Sequence, residues 1–392
     1  MNKFLNKKQF LKKFLNSLFF LKKNNKFVSL HEPDFDKSEI REVKKCLEST
    51  FVSTAGNSVA LFENKIKKIT KSNYVLSLIN GTCALHLGLT LLGVKNNEEV
   101  LIPSITFAGT ANAVKMAGSI PHFVDSEMES FGIDPIKLDN YLNKIVKIKG
   151  NFAVNKKTNR KISAIIVVHV FGHAAKIDQI IKISKKFKIP VIEDAAECIG
   201  SYFKKKHLGT FSDLGVLSFN GNKTITTGGG GALLLKKKNF YQLARLLSSG
   251  GKITHKWENI HIKPGYNYRM PAINAALGLG QIIKLNKFLK KKRRLYKKYN
   301  FIFRGFKEIT LLREPKNSKS NYWLQAIILN KKYSKLKNKI LKVTNENNIF
   351  TRPVWKPLHL LKHLKKYPKM NLKTSEEIYK RVINLPSGSN LL

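Results

Sequence analysis

DLGVLSFNGNKTITTGGGGALLL, residues 213–235, sets two short apolar runs around a polar turn and four consecutive glycines. Leu214 to Phe219 and the run after Gly231 read as buried strands, since short continuous apolar segments bounded by turn residues take that form. Lys223 lies in the turn between them. Burying a lysine is costly and lowers its pKa towards usable nucleophilicity, so a lysine held there points to chemistry. The competing reading is a solvated loop lysine, the ordinary state in a chain with 72 lysines and arginines. The rest of the chain decides between them.

The 392 residues are enough for two domains, and 43% hydrophobic content with 24 glycines fits a globular α/β protein. No apolar run is long enough to cross a bilayer. Cys46, Cys83 and Cys198 are far apart and lack CxxC spacing. They give no disulfide framework or metal-ligand pattern and suit a reducing cytoplasm. The net charge of +47 invites a nucleic-acid reading. The lysines, however, are spread among abundant Asn, Ile and Phe, as compositional bias would spread them, and no recognition module is evident. A basic surface attracts anions in a salt-dependent way, nucleotide-linked substrates included.

Residues 1–27 are basic and apolar without an acidic residue. Leu11, Phe14, Leu15, Leu18 and Leu21 share one helical face, which favours an extension packed on the protein body over an interfacial helix on an anionic membrane. From residue 29 onwards strands and helices alternate: helix 38–47, helix 57–70, strand 74–78, helix 83–92, strand 99–103, strand 122–125, strand 164–169, helix 177–187 and strand 190–193. That rhythm predicts a mostly parallel sheet covered by helices. Residues 147–161 read as an inserted loop or hairpin. A long basic helix, 285–299, leads towards a smaller α+β unit with a strand at 322–329 and a helix at 335–347. The expected division is an extension (1–27), a large cofactor-binding domain (28–284) and a small C-terminal domain (285–392).

Four further features fall at predicted strand ends, where ligands bind in such sheets. Gly81-Thr82 feeds a helix N-terminus, a ready anion site. Phe107 offers an aromatic face. Asp194 ends an apolar strand, where a carboxylate is costly unless it meets a cation or several donors. Ser218 ends the strand before Lys223. Taken singly, Thr82, Phe107, Asp194 and Lys223 read as a capping threonine, a core aromatic, a capping aspartate and a loop lysine. Together they match pyridoxal 5'-phosphate: phosphate at the helix N-terminus, ring on Phe107, ring nitrogen at Asp194, Schiff base at Lys223.

The motifs NGTCALH (80–86), PSITFAGTANAV (103–114), VIEDAAECIGS (191–201), LSFNGNKTITTGGGGA (217–232), GYNYRMPAINAALG (265–278), TRPVWKPLH (351–359) and NLPSG (384–388) resemble the DegT/DnrJ/StrS sugar aminotransferases. These are fold-type I, aspartate aminotransferase-like enzymes. The resemblance runs from about residue 29 to 391, and with HVFGH (169–173) and SNYWL (320–324) it looks most like the branch that aminates nucleotide-linked 4-keto-6-deoxy-N-acetylhexosamines. It implies a homodimer with a shared active site, a nucleotide-sugar substrate and glutamate as amino donor. Lys223 would hold the cofactor and shuttle the proton. Asp194 would pair with the ring nitrogen, and Glu197 would stand near the ring hydroxyl, where relatives carry Gln or His. Gly81, Thr82 and Ser218 would bind phosphate, with Cys83 beside them in the cofactor site. Asn267 would reach the phosphate of a neighbouring subunit, and Arg352 and His359 would serve the sugar or nucleotide. The alternative within the family is another keto position or nucleotide, of the GDP-perosamine type. A sugar dehydratase of the same group would carry histidine in place of Lys223, and a non-catalytic scaffold would have lost Lys223 or Asp194; both residues are present.

Overall fold

The computed structural model describes residues 7–22, 27–253 and 255–392. Its central sheet runs in the order Tyr74–Leu78, Gly231–Leu235, Leu214–Ser218, Val191–Asp194, Lys161–Val168, Glu99–Pro103, Ile120–Val124. Neighbours from Leu214–Ser218 to Ile120–Val124 are parallel, while Gly231–Leu235 runs antiparallel to both of its partners. A parallel sheet is covered on both faces and so needs strands that are apolar throughout. Glu99–Pro103, Leu214–Ser218 and Gly231–Leu235 are buried at every position. Alternate side chains serve opposite layers. Leu76, Leu78, Val216, Leu233 and Leu235 pack with residues of helices Gly81–Leu91 and Ala108–Met116. Val75, Leu217, Ala232 and Leu234 pack with residues of helix Ala272–Ile283. The inserted segment is a hairpin, Val146–Lys149 with Phe152–Asn155, paired with the first residues of Lys161–Val168.

Helix Leu285–Phe303 leads to a second, antiparallel sheet ordered Ile309–Leu311, Gln325–Leu329, Val382–Leu385, Arg352–Pro353. The strand expected at 322–329 begins only at Gln325. Residues 320–324 instead pack on the turn after Val191–Asp194, where Asn321 donates from Nδ2 to the carbonyls of Glu197 (2.8 Å) and Ile199 (3.0 Å).

The basic extension supplies helix Lys7–Leu18. Phe10, Phe14, Leu18 and Leu21 are buried against Leu295, Tyr299, Phe303 and Phe306, and Phe14 stacks on Phe303 at 5.7 Å. Its apolar face is therefore used inside the fold, as the packed-extension reading expects. The rest of that segment, 1–6 and 23–26, lies outside the described residues. Among the described residues no helix is long and apolar enough to cross a membrane.

Candidate active site

A cavity of about 320 Å³ opens at the carboxyl ends of the parallel strands. Tyr74–Leu78, Glu99–Pro103, Lys161–Val168, Val191–Asp194 and Leu214–Ser218 contribute residues at or just past their carboxyl ends. After Tyr74–Leu78 come Asn80, Gly81 and Thr82; after Glu99–Pro103 come Thr106 and Phe107; Asp194 and Ser218 end their own strands. The structure thus brings Gly81, Thr82, Phe107, Asp194, Glu197, Ser218 and Lys223 into one cavity wall.

The anion end is built by the start of helix Gly81–Leu91. Asn80 caps it, its side chain accepting the Cys83 N–H at 2.8 Å. The Cys83 amide is therefore already bonded, and Cys83 is buried and does not line the cavity, unlike the Gly81 and Thr82 with which the sequence groups it. Gly81 and Thr82 remain, at a helix end whose first amides have no intrahelical acceptor. The glycine run explains how the turn is reached. A Cβ on Gly231 would stand 2.5 Å from the Asn80 carbonyl carbon and 2.7 Å from the Gly81 nitrogen. The passage that needs glycine is thus between strand and turn, and none of Gly228–Gly231 lines the cavity.

Asp194 and its neighbour Glu193 show how a strand sorts two carboxylates. Glu193 accepts hydrogen bonds from Gly209 N–H, Ser212 N–H and Ser212 Oγ, with His169 Nε2 at 3.1 Å. Burial acts to raise its pKa, but these donors win and it is lowered. Asp194 has two donors, Thr110 Oγ1 at 2.9 Å and the Ala196 N–H at 3.2 Å. Burial prevails there, and the carboxyl is pushed up. A buried carboxylate so thinly served is stabilised by a cation placed against it, such as a protonated ring nitrogen.

Lys223 is mostly enclosed, its side chain 12% exposed. Its Nζ is 3.2 Å from Glu197 Oε1 and 3.9 Å from the centre of the Trp323 ring. Burial pushes Glu197 up to about 6 against the pull of Lys223. Phe107 is 60% exposed, an open ring at the rim. Anion turn, aromatic face, under-bonded carboxylate and enclosed amine suit the phosphate, ring, ring nitrogen and aldehyde of pyridoxal phosphate.

Three expected residues are not in this cavity. Asn267 is exposed and lines no part of it. Arg352, on an edge strand, turns outwards to Asn345 Oδ1 (2.5 Å). His359 is buried between Ser104 Oγ (2.7 Å) and Glu376 Oε1 (3.3 Å), where it ties the second sheet's loops to the strand end. The structure places Arg352 and His359 outside the cofactor cavity, and their part at the sugar or nucleotide stays a proposal. Trp323, Trp355 and Thr110 do line it. All three sit in motifs that the sequence brings forward, but sequence reasoning gives them no role. The two tryptophans mark the SNYWL and TRPVWKPLH segments, and Trp323 is fixed by its Nε1–H donating to Asn222 O at 2.7 Å.

This fold and site define a pyridoxal phosphate-dependent enzyme of the aminotransferase type. Residues 33–392 match the DegT/DnrJ/EryC1/StrS aminotransferase family, and the chain belongs to it. It is 33% identical over 371 residues to GDP-perosamine synthase of Escherichia coli O157:H7, covering 93% of this chain and 94% of that one. It is 30% identical over 361 residues to UDP-4-amino-4,6-dideoxy-N-acetyl-beta-L-altrosamine transaminase of Campylobacter jejuni, covering 92% of each. Among solved structures it is similar to Helicobacter pylori PseC, an aminotransferase of pseudoaminic acid biosynthesis. That match has a TM-score of 0.84 and 25% identity over 93% of this chain and 95% of the other. The chain is an aminotransferase and its cofactor is pyridoxal 5'-phosphate.

Proposed function

We propose that this chain aminates the keto group of a nucleotide-linked 4-keto-6-deoxy-N-acetylhexosamine, with glutamate as donor, for surface-glycan synthesis. The observation that carries the reading is the placement of Lys223 and Asp194 in one enclosed cavity with the Gly81-Thr82 turn. Bound there, the cofactor supplies an electron-withdrawing ring that stabilises negative charge on the carbon exchanging its amino group. Gly81, Thr82 and Ser218 would hold the phosphate, and Phe107 would offer its open face to the ring. Asp194 would keep the proton on the ring nitrogen. Lys223 would bind the cofactor covalently and serve as the base that carries the proton.

A homodimer belongs to this reading. Ile40, Leu47, Phe51, Leu61 and Ile283 are exposed on the helices and loop that pack around Ala272–Ile283, an apolar surface suited to a second copy. Asn267, outside its own cavity, would then serve the partner's phosphate. A second reading, a GDP-linked 4-keto-6-deoxy sugar without the N-acetyl group, is favoured by the likeness to GDP-perosamine synthase. Incubation with glutamate and a panel of UDP- and GDP-linked 4-keto sugars, with mass and NMR identification of the product, separates the two. An N-acetylated amino sugar supports the first reading, a GDP-linked product supports the second, and no amino sugar from any of them refutes both.

A further inference from the structure

Glu197 is a buried carboxylate that depends on one cation. Its Oε1 is 3.2 Å from Lys223 Nζ, the one ion pair it forms among the described residues. Its Oε2 accepts the Phe171 N–H at 2.7 Å. The titratable groups around it give no further help. Asp194 opposes its ionisation, and the neighbouring Cys198 thiol is buried and held well above its ordinary pKa by desolvation.

Joining Lys223 to an aldehyde changes this balance. The lysine nitrogen forms a C=N bond to the aldehyde carbon, and the aldehyde oxygen leaves as water with two of the ammonium hydrogens. The third hydrogen is a proton, and the acceptor facing it is Glu197 Oε1, 3.2 Å away. Passed to that oxygen, it leaves a neutral imine nitrogen where the ammonium stood. A buried carboxylate that loses its cation binds a proton rather than remain charged.

We infer that Glu197 changes state with cofactor loading, ionised beside free Lys223 and a neutral O–H donor once Lys223 is joined to the cofactor. This rests on Lys223 being the residue joined. The Phe171 amide holds the second oxygen and fixes the carboxyl in place, so Oε1 is the oxygen left facing Lys223 to take the proton. The free chain has room for the proton. With Glu197 at about 6, the group is almost wholly ionised at about pH 7.5, so nearly one proton per site is there to be gained. The loaded site then presents a neutral hydrogen-bond donor next to Lys223, as an amide side chain would.

The test counts protons. Pyridoxal 5'-phosphate is titrated calorimetrically into the cofactor-stripped full chain and into Glu197→Gln, at about pH 7.5, in buffers of different ionisation enthalpy. The wild type is expected to take up about one proton per site more than Glu197→Gln. Equal counts overturn the inference. Borohydride reduction and peptide mapping of the same samples keep the two claims apart. No label on Lys223 means the cofactor assignment itself has failed, whereas label on Lys223 with equal counts refutes the role of Glu197 alone. Should the glutamine variant not fold, the loaded-minus-free infrared spectrum of the wild type answers alone. A new protonated-carboxyl stretch supports the inference, and its absence overturns it.

Discussion

Thr110→Val tests how the site keeps Asp194 charged. The hydroxyl donates to Asp194 Oδ2 at 2.9 Å, and the Ala196 N–H at 3.2 Å is the other donor. Thr106 Oγ1 lies 2.9 Å from Thr110 Oγ1 and donates to it, since the Thr110 proton is already directed at Asp194. Valine keeps the shape and deletes both bonds. A hydrogen bond to a charged group is worth about 1.5–3 kcal/mol, and the loss falls on the ionised form, which burial already disfavours. The variant should hold the protonated ring nitrogen less well, with kcat reduced about 10- to 150-fold. Its absorbance titration with pyridoxal phosphate should weaken in parallel. Thr110→Ser keeps the donor and should recover most of the loss. A valine variant within about twofold of wild type in both assays would refute the claim that Thr110 sustains the charge on Asp194.

Three other outcomes are expected from the geometry. Gly231→Ala puts a methyl group against the Asn80–Gly81 backbone, which cannot yield as a side chain would. It should cost about 1–3 kcal/mol in urea unfolding and weaken phosphate and cofactor binding together. Phe14→Ala removes a fully buried ring from the extension's contact with Phe303 and Phe306. A loss of about 3–5 kcal/mol, or proteolytic release of the extension, is expected, with Lys223 still reactive. In the cofactor-free chain Glu197 is raised from its ordinary 4.5 to about 6. Its contribution to stability is therefore full below about pH 4.5 and lost as pH rises through 6, about 2 kcal/mol in all. Urea unfolding across that window should show the slope in wild type and a flatter profile in Glu197→Gln.

The strand-and-helix rhythm was readable because buried strands are largely apolar, and the strands at Tyr74–Leu78 and Glu99–Pro103 begin and end where the sequence predicts. Site residues at strand ends were readable for the same reason: once the strands are placed, the turns after them face the ligand. What escaped depended on contacts between distant segments. The Asn80 cap takes the Cys83 amide, and only the built turn shows which donor is left for an anion. Thr110 matters because helix Ala108–Met116 lays it across Asp194, 84 residues away. Trp323 reaches Lys223 because Asn321 is pinned to the 197–199 backbone, a pairing that no local periodicity encodes. Arg352 and His359 are held outside the cofactor cavity by Asn345, Ser104 and Glu376, contacts that no motif spells out.

The claim on which everything else stands is that one enclosed lysine, in a chain with many, carries the cofactor. Borohydride reduction of the pyridoxal phosphate-loaded protein and subsequent peptide mapping test it directly. The expected result is a single stable label on Lys223, in the peptide containing SFNGNK, and none in Lys223→Ala. Label on a different lysine, or cofactor that cannot be fixed to the chain at all, would contradict it.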